Sequence, residues 1–177
     1  MHKKKVVVFI NGGLGNQMFQ YVFGLYLQEK FKIKILYYFN EGHVASSSTK
    51  WDFALLYFKG IKKDNFVKSI NLPLNNIYFR KAMKLLSNIN LNNQIYFEKE
   101  EMKFDEEIFI KDYYVGYWQS FLYLKNLKRD YLKKIFSLND QNFDFTPFQV
   151  QDSGNYVAIH LRRGDYISKN NLKKYVQ

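Results

Sequence analysis

The chain contains no cysteine, which excludes a disulfide framework, a cysteine-ligated zinc site and a thiol nucleophile together. It also lacks a long apolar run near its start. The segment Val6–Ile10 follows three lysines but spans only five residues before Asn11, which is too short for a signal-peptide core or a membrane span. We therefore expect a buried first strand in a cytoplasmic protein.

Histidine is scarce as well, with three residues in the chain. His43 has no second histidine or acid at metal-ligand spacing, so its environment is typical of a solvated loop. The sequence predicts no metal site.

Hydrophobic residues make up 47% of the 177 positions and aromatic residues 19%, enough for one globular domain or for one domain and the opening of a second. The net charge of +11 favours anionic partners such as nucleotides, nucleic acid or a membrane surface. A basic nucleic-acid-binding module is therefore one alternative. Against it, the aromatic residues fall mainly at positions suited to a core, and no recognised RNA- or DNA-binding motif appears.

The first forty residues have the pattern of a β-α-β unit. Val6–Ile10 predicts a strand, apolar residues recurring every four positions predict a helix that reaches Phe31, and Lys34–Phe39 predicts a second strand. The glycines between strand and helix do not complete a dinucleotide fingerprint, because Met18 stands where the third glycine would be, and no P-loop lysine follows. An α/β fold with a parallel sheet is expected.

The loop after the first strand carries little side-chain bulk and brings Asn16 and Gln17 to a helix amino terminus. Such a loop lets a polar ligand approach the backbone closely, and an asparagine supplies both a donor and an acceptor. The alternative is a tight turn in which Asn16 caps the helix.

The middle of the chain carries less information. Short helices are predicted at 52–58 and 79–88, without any chemistry attached. Tyr113–Trp118 predicts a strand, and an apolar face from Phe121 to Phe136 predicts a helix after it. Trp118 could stack on a sugar or a base, but its position favours the core.

The last part of the chain indicates a domain boundary. Residues 139–155 have linker composition and 156–159 predict a new strand. The first domain then spans 1–138, and 156–177 form the opening strand and turn of a second domain that the remaining residues cannot complete.

That strand leads into His160–Tyr166, which contains the adjacent pair Arg162 and Arg163. Arginine presents a planar fork of donors that matches phosphate oxygens two at a time, so the pair is a candidate receptor for a diphosphate. Asp165 can orient a guanidinium. The alternative is a solvated turn with a local ion pair.

Three segments together resemble the family 11 glycosyltransferases, the α-1,2-fucosyltransferases, in their bacterial form: Gly12–Gln20, Gly116–Ser120 and His160–Tyr166. The resemblance implies the Rossmann-like amino-terminal domain of a two-domain GT-B enzyme, with only the start of the donor-binding domain present. It also implies transfer of fucose from GDP-fucose to the 2-hydroxyl of a glycan acceptor ending in galactose, with inversion and without an obligatory metal. No cofactor and no nucleic-acid partner are expected, and peripheral association with the inner face of the membrane stays open.

The resemblance assigns roles to individual residues. Arg162 would bind the β-phosphate of the donor and stabilise its departure, and Asp165 would act beside it as the second catalytic residue. The remaining assignments are to donor binding (His160 and Arg163) and to the lining of the cleft (Asn16 and Gln17).

The chemistry of the chain agrees with these roles. Cleavage of a sugar–diphosphate bond develops negative charge on the leaving group, which fixed positive charge must stabilise. The sequence has no Asp-x-Asp for a metal, so the paired arginines can supply that charge instead. No residue stands out as the general base. The short segment after the arginines leaves a further alternative, an inactive fragment that binds the nucleotide sugar without turning it over.

Overall fold

The computed structural model describes residues 5–39, 52–73, 76–88, 94–125 and 127–138. These residues form five parallel strands and three α-helices. In chain order the elements are β1 (Lys5–Ile10), α1 (Leu14–Phe31), β2 (Lys34–Phe39), β3 (Phe66–Val67), α2 (Ile77–Asn88), β4 (Ile95–Phe97), β5 (Tyr113–Val115) and α3 (Arg129–Ile135).

The five strands form one sheet in the order β3-β2-β1-β5-β4, and every neighbouring pair is parallel. The chain builds outward from β1 to β3, crosses to β4 at the other edge and returns with β5 beside β1. The strand order therefore reverses between β1 and β5, which is the topological switch point of a doubly wound sheet. The predicted α/β class with a parallel sheet is confirmed, and the architecture is consistent with a Rossmann-like domain.

One face of the sheet packs against α1. Alternate residues of β1 point to this side, namely Val6, Val8 and Ile10, and share a core with Phe23 and Leu27 of the helix. The ring of Phe23 also stacks on Trp118, with centroids 3.8 Å apart. The prediction that Trp118 belongs to the core is confirmed, since its side chain is fully buried.

The other face of the sheet packs against α2. Val7 and Phe9, the intervening residues of β1, belong to a second apolar cluster with Phe79 and Met83 of that helix. Because β1 is covered on both faces, its sequence reads as a continuous apolar run rather than an alternation.

Three predicted helices differ from the elements that the structure shows. The helix expected from Phe121 to Phe136 is instead a 3₁₀ turn, Phe121–Tyr123, followed by the separate α3, because Lys128 has an extended backbone that interrupts the helical pattern. The helices expected at 52–58 and 79–88 correspond to a 3₁₀ turn, Ala54–Tyr57, and to α2. The short strands β3 and β4 were not predicted.

Among the described residues, no helix combines the length and the apolar character that crossing a membrane requires. The domain boundary at 138 stays a prediction, since the expected linker 139–155 and the expected second-domain segment 156–177 lie outside the described residues.

Candidate functional site

The carboxyl ends of β1, β5 and β4 lie side by side along one edge of the sheet. Three segments follow these strand ends: Asn11–Gly13 after β1, Gly116–Ser120 after β5, and the residues that begin with Glu98 after β4. Ligands of open parallel sheets bind at this edge, next to the switch point. These three segments and the first turns of α1 form the candidate site.

The loop after β1 requires a glycine at position 12. Gly12 has a φ of +77°, and a Cβ there would lie 2.8 Å from Nδ2 of Asn16. A larger residue at this position would have an unfavourable backbone conformation and would also collide with Asn16. The glycine thus allows the chain to turn tightly from β1 into α1, with the Asn16 side chain directly against it.

Gln20 connects the loop after β1 to the loop after β5. Its Oε1 accepts a hydrogen bond from the backbone N–H of Asn11 at 2.9 Å, and its Nε2 donates to the carbonyl of Gly116 at 2.9 Å. The side chain is fully buried, so each of these bonds would be costly to lose. Sequence reasoning gave Gln20 no role, although a glutamine within the apolar face of a helix is a signal that a buried partner exists.

Gln17 is also fully buried. Its Nε2 donates to the carbonyls of Gly12 and Asp52, at 2.8 and 2.7 Å, and its Oε1 accepts from the backbone N–H of Ala54 at 3.1 Å. It therefore connects the start of α1 to the segment after residue 51. The role predicted for it in lining a cleft stays a prediction.

Asn16 lies within the first turn of α1 and is half-buried. The helix cap is Gly13, and no side chain makes a capping hydrogen bond, so the alternative in which Asn16 caps the helix is wrong. Its Oδ1 instead accepts a hydrogen bond of 2.7 Å from Nε2 of Gln119. Two of the three segments that carry the family resemblance, Gly12–Gln20 and Gly116–Ser120, therefore meet at the switch point.

The loop after β5 is fixed by a carboxylate. Glu98 accepts hydrogen bonds from the backbone N–H groups of Tyr117 and Trp118, at 2.7 and 2.9 Å. Trp118 has a φ of +57°, a conformation that bulky residues rarely adopt without such support. Burial raises the pKa of Glu98 above its ordinary value, and the two backbone hydrogen bonds oppose that rise.

A pocket of about 270 Å³ opens beside this loop, between α2 and the ends of β4 and β5. Its wall combines cations from α2, among them Arg80 and Lys84, with Glu98 and the half-exposed ring of Tyr117. This pocket was not predicted, because its walls come from segments that are far apart in the chain.

The arginine-rich segment lies outside the described residues. This applies to all four residues predicted there: His160, Arg162, Arg163 and Asp165. Their roles stay predictions. Among the residues that the structure does describe, no three histidine, aspartate or glutamate side chains are grouped as metal ligands.

The chain is similar to an α-1,2-colitosyltransferase of Escherichia coli. The two are 28% identical over 178 aligned positions, which cover 92% of this chain and 56% of that enzyme. The chain thus spans little more than half the length of this relative, which is a glycosyltransferase. No family model matches the chain, and no solved structure matches it. The narrower assignment to family 11 stays a prediction.

Proposed function

We propose that this chain is part of a glycosyltransferase that moves a deoxy sugar from a nucleotide-sugar donor to a hydroxyl group of a glycan acceptor. The observation that carries the proposal is the hydrogen bond between Asn16 and Gln119. It joins two motif segments at the edge where parallel sheets bind their ligands. The similarity along most of the chain to a glycosyltransferase supports the same reaction class.

The finer proposal is transfer of fucose from GDP-fucose to the 2-hydroxyl of a galactose-type acceptor, with inversion and by a two-domain GT-B enzyme. The name of the E. coli relative supports two parts of it. That enzyme transfers colitose, a deoxy sugar, and it forms an α-1,2 linkage. The choice of fucose, of guanosine diphosphate and of galactose comes from the family resemblance.

Arg162 and Arg163 carry the chemistry in this proposal. As the sugar–phosphate bond breaks, charge accumulates on the leaving diphosphate, and guanidinium groups already in place stabilise it without reorganisation. Removal of one such donor costs roughly 2–4 kcal/mol of transition-state stabilisation, which is about a hundredfold or more in rate. Asp165 orients a guanidinium, and His160 contributes to the donor pocket.

The first test is calorimetric titration of the 177-residue chain with GDP-fucose, GDP, GMP and UDP. We expect binding of the two guanosine diphosphate ligands, with GMP and UDP much weaker, because the site recognises both the base and the second phosphate. Arg162→Ala should weaken binding by roughly tenfold or more, the value of a charge-assisted hydrogen bond. Arg129→Ala is the matched control, since Arg129 lies exposed at the start of α3.

Two results would contradict the proposal. One is the absence of GDP binding together with salt-sensitive binding of mixed oligonucleotides, which would favour the nucleic-acid module. The other is GDP binding that Arg162→Ala leaves unchanged. Release of GDP in the presence of a β-galactoside then measures transfer itself, and Arg162→Ala should lower its rate about a hundredfold or more.

A further inference from the structure

The pocket between α2 and the ends of β4 and β5 has cations in its wall, of which Lys84 also lies near enough to Glu98 to interact with its charge. Arg80 and Lys84 lie one helical turn apart on α2 and both line it. In the described part of the chain, no carboxylate lies within ion-pair distance of Arg80. Lys99, a further cation of the wall, differs in this respect because it pairs with Asp105 at 3.4 Å.

The same wall also carries carboxylates, Glu98 and Glu101. These would repel a bare phosphate ion but accept hydrogen bonds from hydroxyl groups. Each oxygen of Glu98 already accepts one backbone N–H, and a carboxylate oxygen retains a further lone pair. A ligand that matches this wall therefore combines an anionic group, which the cations attract, with hydroxyl donors, which the carboxylates accept.

The ring of Tyr117 adds a third feature, an aromatic surface that is 38% exposed. Aromatic rings present an apolar face on which the C–H groups of a sugar ring can pack. The volume of about 270 Å³ is at the small end for ligand pockets, which suits a single sugar unit. Cations, hydroxyl acceptors and an aromatic face together match an acidic monosaccharide.

We propose that this pocket is an acceptor subsite for a sugar that bears a carboxylate. The carboxylate binds Arg80 and Lys84, the ring hydroxyls donate to Glu98 and Glu101, and the ring packs on Tyr117. The proposal rests on the proposed function, since it assigns one unit of the acceptor. The pocket wall includes Gly116, whose carbonyl accepts the hydrogen bond from Gln20, so an acceptor bound here lies beside the switch point.

The test compares methyl β-galacturonide with methyl β-galactoside, two ligands that differ only in the group on C5. Binding is followed by NMR titration of the isotope-labelled chain, using the backbone N–H of Gly116, a residue of the pocket wall, as a reporter. We expect the galacturonide to bind at least tenfold more tightly, the usual effect of a charge-assisted hydrogen bond.

Variants locate the effect. Arg80→Gln should abolish the preference for the galacturonide, Lys84→Gln should reduce it, and Arg129→Gln on α3 should leave it intact. The proposal is overturned if both sugars bind equally, if Arg80→Gln keeps the preference, or if inorganic phosphate displaces the galacturonide at equal concentration. The result is distinguishable from that of the GDP titration, because the preference is measured without donor and on residues to which the proposed function assigns no part in donor binding.

Discussion

Nε2 of Gln119 donates a hydrogen bond of 2.7 Å to Oδ1 of Asn16, although 103 residues separate the two in the chain. Asn16 belongs to the first turn of α1, and Gln119 to the loop after β5. The bond therefore crosses the boundary between β1 and β5, where the strand order reverses. With the contact of Gln20 to Gly116, it makes the two loops one structural unit.

The first prediction concerns the energetic coupling of these two amides. Asn16→Ala and Gln119→Ala should each destabilise the fold. The double variant should lose less stability than the two single variants lose together. The expected coupling is about 0.5–1.5 kcal/mol, the net value of a partly buried hydrogen bond. Urea unfolding of the four proteins measures it.

The matched control pairs Gln119→Ala with Gln28→Ala, an exposed glutamine of the same helix. That pair should be additive. Additivity of Asn16→Ala with Gln119→Ala would mean that the two loops are not connected through these side chains.

A second prediction follows from the raised pKa of Glu98, whose largest cause is burial. The folded chain holds the proton of this carboxyl more tightly than the unfolded chain does. Its contribution to stability is thus fully present below the ordinary glutamate pKa of about 4.3, and it is lost as pH rises through the raised pKa. Glu98→Gln should remove this part of the pH dependence.

The measurement is the free energy of unfolding of wild type and Glu98→Gln at a series of pH values upward from 4. As pH rises, the free energy of unfolding of Glu98→Gln should increase relative to that of wild type. Glu106→Gln, at an exposed position, serves as the control and should reproduce the wild-type profile. A Glu98→Gln profile parallel to that of wild type would refute the prediction.

Much of the fold could be predicted because its first unit is encoded locally. The strand Val6–Ile10, the helix to Phe31 and the strand Lys34–Phe39 each have a continuous pattern of sufficient length. The strands β3 and β4 have two and three residues, too few to show a period. They are strands because of their partners, as in the pairing of Phe66 with Tyr37.

The residues of the candidate site likewise include some that the local sequence predicts and others that it does not. Asn16 was predicted from its place between a glycine turn and a helix, which is local information. Its partner Gln119, the contact of Gln20 and the role of Glu98 depend on segments 19 to 103 residues away. A single sequence contains no signal of such pairings apart from polar residues at buried positions, of which Gln20 is the clearest.

A third prediction concerns the hydroxyl of Tyr96, which donates a 2.5 Å hydrogen bond to Oδ2 of Asp105. Burial and this carboxylate raise the pKa of Tyr96 above its ordinary value. Tyr96→Phe should cost about 1.5–3 kcal/mol at neutral pH, the range for a hydrogen bond to a charged group. Because the folded state holds the phenolic proton, stability should also fall above pH 10 or so, and less steeply in the variant.

The free energy of unfolding of wild type and Tyr96→Phe tests this prediction. The control is Tyr78→Phe, since Tyr78 is 78% exposed. At neutral pH, its free energy of unfolding should equal that of wild type. An equally small effect of Tyr96→Phe would show that the hydrogen bond to Asp105 does not persist in solution.

A fourth prediction compares the same substitution at two glycines of α1. A Cβ at Gly24 would lie 2.6 Å from Cε1 of Tyr37, whose hydroxyl donates to the carbonyl of Tyr21 at 3.0 Å. Gly24→Ala must therefore displace this buried ring of β2, at a cost of about 1–3 kcal/mol. At Gly15 a Cβ would meet nothing within 4 Å, so Gly15→Ala should stabilise the helix by roughly 0.5–1 kcal/mol.

The two substitutions should therefore change the stability of the fold in opposite directions. Helix propensity favours alanine at both positions, so a loss of stability in Gly24→Ala reflects the packing of α1 on β2. Thermal unfolding should show a higher midpoint for Gly15→Ala than for wild type and a lower one for Gly24→Ala. If both variants were stabilised, Tyr37 could not lie against Gly24, and the packing of α1 over the first two strands would have to be revised.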